Sequence, residues 1–144
     1  MRPDRSTMRR AFARPNVLLV RVSPKGFLLG QDRVTELHGR ITRQQLLRKL
    51  FQDGDLACDS TDGIRARNGT LCDDCRHPQC RPWLRIHLAR DDRVYVVDLA
   101  VTSAQNLLEL EYQAEAVGAR LDDWTVKLTI RERGSWGEVC FQKL

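Results

Sequence analysis

Long apolar runs are missing from this 144-residue chain. The longest near its start, Val17 to Val20, is cut by Arg21, far short of the roughly 18–20 residues of a membrane-spanning helix. No membrane protein is therefore expected. Aromatic residues make up only 6%, and there are three histidines, His38, His77 and His87. The patterns GxxxxGKS/T, GxGxxG, HExxH and GxSxG do not occur, so the chain offers no phosphate-cradling loop, no zincin helix and no nucleophile with a visible base. A non-enzyme is expected, with a zinc-dependent nuclease or hydrolase the least favoured reading. No repeat or low-complexity tract is present.

The first fifteen residues lack the apolar core of a secretory signal. They carry Arg2, Arg5, Arg9, Arg10 and Arg14 against Asp4, which reads as a flexible basic arm ahead of a mitochondrial presequence; a cytoplasmic location is expected. Residues 16–144 are expected to form a single domain, because 42% hydrophobic and 30% charged residues suit one core with a solvated surface. Lysine is scarce: 4 against 20 arginines, with a net charge of +5. Arginine adds bidentate hydrogen bonding and base stacking to charge neutralisation, though a modest positive charge is common in proteins that never meet nucleic acid.

Residues 16–22 (NVLLVRV) read as a strand, Pro24-Lys25-Gly26 as a turn, and FLLG with the polar run to Leu37 as the return of a first hairpin. TRQQLLRKLF from Thr42 spaces Leu46, Leu47 and Leu50 as on one helix face, with Thr42 and Gln45 as a capping box, and predicts a short helix ending near Gln52. WLRIHLA (83–89) and VYVVDLA (94–100) flank an Asp91-Asp92 turn as a second hairpin. Thr102 and Gln105 suggest a capping box for a helix with Ala104, Leu107, Leu108, Tyr112 and Val117 facing inward, stopped at Gly118. WTVKLTIRER (124–133) and WGEVCFQK (136–143) form a last hairpin around Gly134-Ser135.

Between about 53 and 82 periodicity is lost, and four of the five cysteines fall as Cys58-x13-Cys72-x2-Cys75-x4-Cys80. A tetrahedral zinc site needs four deprotonated ligands about 2.0–2.3 Å from the ion, and a CxxC turn supplies two. One structural Zn2+ per chain held by Cys58, Cys72, Cys75 and Cys80 is the expectation; disulfides or unligated thiols are the alternatives, the former requiring an oxidising compartment. His77 either replaces one sulfur or is a loop histidine. Four cysteines already fill the tetrahedron, which favours the second. Cys140 reads as a core or half-buried thiol.

Alternation in the second hairpin puts Trp83, Arg85 and His87 on one face and Leu84, Ile86 and Leu88 on the other. The first set is either a stacking and neutralising face for single-stranded nucleic acid or an ordinary solvent face. Trp124 and Trp136 read as rim residues covering the core. Arg65, Arg67, Arg76 and Arg81 accompany the cysteines, in a field mixed with aspartates, as candidate phosphate contacts.

The order of hairpins, with one helix before the last two strands, resembles the five-stranded OB-fold plan. The segment Cys58-Asp59-Ser60-Thr61-Asp62-Gly63, followed by Cys72-Asp73-Asp74-Cys75 and Cys80, is similar to a family of small phage and mobile-element proteins, zinc-containing, OB-like and single-stranded DNA-binding. The likeness spans about residues 56–142, its specific part 58–80. It implies Cys58, Cys72, Cys75 and Cys80 as metal ligands, and Ser60, Asp62 and Gly63 as shaping the turn after the first. The spacer before Cys80 is shorter than the family's, and the acidic C-terminal tip of many single-strand binders is absent.

The fold expected is thus mainly β with one or two helices (α+β), an OB-like barrel with an inserted zinc loop at about 53–82. The function expected is non-enzymatic binding of single-stranded nucleic acid, with Trp83, Arg85, His87, Arg65, Arg67, Arg76 and Arg81 as contacts. The alternative is a zinc-stabilised protein-interaction adaptor of a phage, plasmid or other mobile element, in which the acidic helix meets a basic protein partner.

Overall fold

The computed structural model describes residues 16–72 and 80–144; the basic arm 1–15 lies outside them. Among the described residues the protein is mainly β with one α-helix. Strands β1 (Asn16–Ser23), β2 (Gly26–Leu29), β3 (Asp32–Val34), β4 (Glu36–Gln52), β5 (Asp55–Ser60), β6 (Cys80–Arg90) and β7 (Arg93–Leu99) precede helix α1 (Val101–Ala116). A 3-10 turn (Leu121–Asp123), β8 (Val126–Arg133) and β9 (Trp136–Lys143) complete the chain. The strands form one array in the order β3-β2-β1-β7-β6-β4-β8-β9, with β5 on β4. The array is not hydrogen-bonded into a closed barrel.

The three predicted hairpins form. β1 returns through Pro24-Lys25 into β2, β6 and β7 pair from Leu84↔Leu99 to Arg90↔Arg93 around Asp91-Asp92, and β8 and β9 pair from Val126↔Lys143 to Arg133↔Trp136. Asp91 takes the left-handed conformation, φ 54°, that a tight two-residue turn requires and that aspartate tolerates.

The helix predicted from Thr42 is instead the middle of β4, a strand of 17 residues. Leu46, Leu47 and Leu50 satisfy a helical spacing, but the segment's hydrogen bonds go to distant partners. Glu36–Gly39 pair with β8, Arg40–Leu50 with β6 and Arg48–Gln52 with β5. A register shift between Ile41 and Arg43 breaks the two-residue alternation that would have marked a strand. The aperiodic segment is shorter than 53–82 as well, because β5 and the first residues of β6 extend the sheet into it.

One core cluster gathers Val20, Phe27, Ile41, Ile86, Leu88, Val97, Leu99, Leu107, Leu110, Val126, Leu128 and Val139. α1 covers it, but with a face rotated from the expected one. Ser103, Leu107, Leu110 and Ala114 are buried, whereas Leu108, Tyr112 and Val117 are exposed. Hydrogen bonding to β9 explains the rotation: Ser103 Oγ accepts from the Val139 N–H at 2.8 Å and Asn106 Nδ2 donates to the Val139 carbonyl at 3.0 Å. A polar residue can be buried because its hydroxyl is satisfied. The helix starts at Ala100 without a side-chain cap, so the Thr102/Gln105 box does not form. It ends at Gly118, φ 71°, as expected of a left-handed stop.

β9 also closes against β1. A Cβ on Gly137 would collide with the Ser23 carbonyl oxygen and lie 2.9 Å from Ile130 Cγ2. Gly137→Ala is expected to push the two strands apart and cost about 1–3 kcal/mol, the usual range for overpacking. Chemical denaturation checks this, and an unchanged midpoint would mean that β9 yields freely.

Candidate nucleic-acid interface and cysteine cavity

Residues opposite each other in antiparallel pairs share a face of the sheet. Trp83, Arg85 and His87 on β6 lie opposite Leu47, Gln45 and Arg43 on β4, while Arg85 and His87 lie opposite Asp98 and Val96 on β7. The parallel strand β1 adds Leu19 beside Val96. The predicted Trp83-Arg85-His87 row therefore exists on one face, and Leu84, Ile86 and Leu88 turn to the other, where Ile86 and Leu88 are fully buried. Arg43 is exposed, and so is Leu19, at 72%.

Within that face Asp98 is a hub. Arg85 donates to it through Nε at 2.8 Å and Nη2 at 3.1 Å, and Lys49 donates from the other side. Burial pushes the Asp98 carboxyl up, but hydrogen bonds and charge from Arg85 and Lys49 more than offset this and hold it below the usual carboxylate range. Lys49 Nζ also lies 4.7 Å from the Trp83 ring centroid, a cation–π distance, and Phe51 meets Trp83 edge-on at 6.2 Å. Burial, then the charges of Arg43 and Arg85, lower the His87 pKa. Arg85 is thus a structural ion-pair partner as much as a surface cation.

At the end of the sheet, where β1, β4 and β7 finish and β6 and β9 begin, a cavity of about 440 Å³ is lined by Arg21, Lys49, Phe51, Trp83, Asp98 and Trp136, among others. Its volume falls in the range of small-ligand pockets, roughly 300–1,000 Å³. Of these six, the sequence pattern marks only Trp83 as a contact. Trp136 is 44% exposed and does not cover the core as expected. Trp124 does pack against the core, under Lys143 Nζ at 4.4 Å.

Cys58 and Cys80 lie on the opposite face of β4 from Trp83. Leu50 is in register with Cys58 on β5 and with Cys80 on β6, so both cysteines flank it on its own face. With Cys72, Arg48, Asp59, Ser60 and Ala66 they line a small cavity of about 20 Å³, room for one water-sized occupant. Cys75, Arg76 and His77 lie outside the described residues. Among the described residues, no group of three or more His, Cys, Asp or Glu side chains is arranged to hold a metal by itself. In a flat sheet, two strand spacings separate Cα atoms by about 9–10 Å, so for Cys58 and Cys80 to share one ion the sheet would have to curve across β4 at Leu50. Cys140, half-buried on β9, is not among the residues lining this cavity. Burial raises its pKa.

The turn after Cys58 is built as the motif implies. Ser60, buried, places Oγ 2.7 Å from the Arg65 carbonyl and 2.9 Å from Asp62 Oδ1, and accepts from the Gly63 N–H. Asp62 Oδ1 accepts from the N–H groups of Ile64 and Arg65 at 2.8 and 3.0 Å, and those of Arg65 and then Ile64 hold its pKa down. Gly63, φ 74°, also lies under Leu46. Arg65 donates to the Gly69 carbonyl and Arg67 pairs with Asp59 at 2.8 Å, so both fasten the loop. Arg81 is exposed on β6.

Compared with protein-family models, curated proteins and solved structures, the chain matches none of them.

Ser60→Ala leaves the Gly63 N–H and the Arg65 carbonyl without their partner and is expected to cost about 1–3 kcal/mol, read by urea denaturation. The two lowered carboxylates fix the sign of an acid effect. Their stabilisation is fully present above the ordinary carboxylate pKa of about 4 and is lost as pH falls through the depressed folded values. His87 acts in a higher window. Its folded pKa lies below the ordinary value of about 6.5, so stability also declines as pH drops from there towards the folded value. Denaturation midpoints measured from pH 7 down to 3 should fall in two stages, and His87→Gln should remove the upper one.

Proposed function

We propose that this protein is a non-enzymatic binder of single-stranded nucleic acid, an incompletely closed OB-like barrel whose cysteine segment is ordered by one structural zinc ion. The observation that carries this reading is the shared face of β4 and β6, where Trp83, Arg85 and His87 stand in register with the exposed Arg43 and beside Lys49. Aromatic and cationic side chains on a sheet face suit a flexible strand, because bases stack without regard to sequence while cations neutralise the backbone. Arg81 extends the cationic surface toward the cysteine segment. Arg65 and Arg67, engaged within the loop, hold its shape. Cys140 is not assigned to the metal.

Cys58, Cys72 and Cys80 around one small cavity support the zinc assignment, with Cys75 as the fourth thiolate. Soft sulfur donors suit this ion, and its binding energy adds to folding energy. The OB-like reading is supported by the close approach of β9 to β1 at Gly137 and by β4 reaching β5, β6 and β8.

A second reading, the protein-interaction adaptor, is favoured by a separate observation. A groove of about 350 Å³ between α1 and the sheet is lined by Leu46, Pro82, Leu84, Val101, Leu107 and Leu108, with Glu111 at its edge. Glu111 and Glu115 form a like-charge pair four residues apart near the negative end of the helix. A basic amphipathic segment of a partner protein would relieve that repulsion.

Fluorescence anisotropy of labelled single-stranded and duplex oligonucleotides, at several salt concentrations, separates the readings. Selective, salt-sensitive binding of the single strand is expected, and Arg43→Ala should lower the slope of log K against log salt by about 0.7, one phosphate contact. Metal analysis should return one zinc per chain, lost together with thermal stability in Cys72→Ser and Cys80→Ser. A protein that binds no polynucleotide leaves the adaptor in possession.

A further inference from the structure

The cavity at the end of the sheet joins residues far apart in the chain whose chemistry fits one kind of ligand. Phe51 closes β4, Trp83 lies near the start of β6 and Trp136 opens β9, and all three line it. Phe51 and Trp136 are each 44% exposed, so two of the largest apolar surfaces of the protein meet water around one hollow. Large apolar surface left exposed around a cavity marks a binding site more often than an accident of packing. Three aromatic side chains among the lining residues favour a flat, aromatic occupant.

The charges narrow the choice. Arg21 is exposed on the wall formed by β1 and makes no ion pair among the described residues. Lys49 is shared between Asp98 and the Trp83 ring. A guanidinium free to bind suits a phosphate, and Asp98, whose carboxylate accepts three hydrogen bonds from Arg85 and Lys49, has an acceptor site left for an amino group. A flat ring with donors, joined to an anion, is a nucleotide. Gly137 keeps this geometry possible, because its lack of a side chain lets β9 close on β1 and carry Trp136 to the cavity.

We propose that this cavity holds a single nucleotide unit, its base between the aromatic walls and its phosphate on Arg21. The inference rests on the single-strand reading and deepens it: one base of the bound strand leaves the run along β4 and β6 and enters the cavity. Trp136, Phe51 and Arg21 belong to the cavity alone, and Arg43 to the open face alone, so the two can be perturbed separately.

The test uses the full-length protein with a deoxynucleoside monophosphate and a labelled single-stranded oligomer. In 15N spectra the monophosphate should shift the indole N–H signals of Trp83 and Trp136 and leave that of Trp124, which is not among the cavity-lining residues. Trp136→Ala should weaken oligomer binding about 5- to 150-fold, the fold-change for one stacked base, without reducing the salt slope; Arg43→Ala should reduce the slope without altering monophosphate affinity. An oligomer bound equally by Trp136→Ala, Phe51→Ala and the wild type, with no indole shift, overturns the cavity while leaving the open face standing. Monophosphate shifts without binding of any polynucleotide support the cavity and overturn the strand reading. Silence in both assays overturns both. Because the indole spectra use unaltered protein, a variant that fails to fold does not decide the matter.

Discussion

β4 is the strand on which the other elements depend. Its 17 residues are hydrogen-bonded in succession to β8, to β6 and to β5, so one extended segment spans the last hairpin, the central sheet and the cysteine segment. An isolated two-stranded hairpin is marginal in water; here each hairpin is secured by sharing β4 or by packing on the core beneath it. Glu36–Gly39 carry β8 and β9 into position, and β9 then meets α1 through Ser103 and Asn106. The far end of β4 delivers Arg48, Lys49, Leu50 and Phe51 to the region where both candidate sites lie.

Electrostatics tie the open face to that framework. Asp98 receives three donors, two from Arg85 and one from Lys49, and so fixes neighbouring strands on either side of β6. A half-buried carboxylate of this kind is costly without partners and costly to strip of them. Two of the cations on the face are thereby anchored, while Arg43 and Arg81 are exposed on it and Arg21 lines the cavity at its end. Composition alone treats all arginines alike. The structure divides them into those that hold the protein and those turned to solvent, and Arg65 and Arg67 fall in the first group.

Hairpins are legible in the sequence because their determinants are local: alternating strands, two-residue turns and glycine or aspartate where the backbone turns left. β4 is not, because nothing within TRQQLLRKLF distinguishes a helix from a strand. Its leucines fit helical spacing, a register shift blurs the alternation, and the deciding hydrogen bonds come from strands far along the chain. The face of α1 escapes sequence reading for a related reason. Hydrophobicity points to Leu108 and Tyr112, whereas the polar Ser103 and Asn106 are the groups that meet β9. The Trp83 row is readable from alternation, but the cavity is not, since Phe51, Trp83 and Trp136 converge only in three dimensions. The cysteine spacing points to one centre, and three of the four thiols do line one cavity; nothing in the spacing reveals that a strand passes between two of them.

That intervening strand joins the two halves of the molecule's chemistry. Successive side chains of a strand point to opposite faces, so Leu50 lies between Cys58 and Cys80 while Lys49, one residue earlier, reaches Asp98 and Trp83 on the other side. The β4–β5 pairing shifts register between Leu50 and Phe51, with Ala57 of β5 left over between Cys58 and Leu56, and Phe51 lies immediately beyond the shift, in the wall of the aromatic cavity. Any force that draws Cys58 and Cys80 together must act across Leu50, the residue next to Phe51. An ion in the cysteine cavity and a ring in the aromatic cavity would thus bear on adjacent residues of β4 from opposite faces.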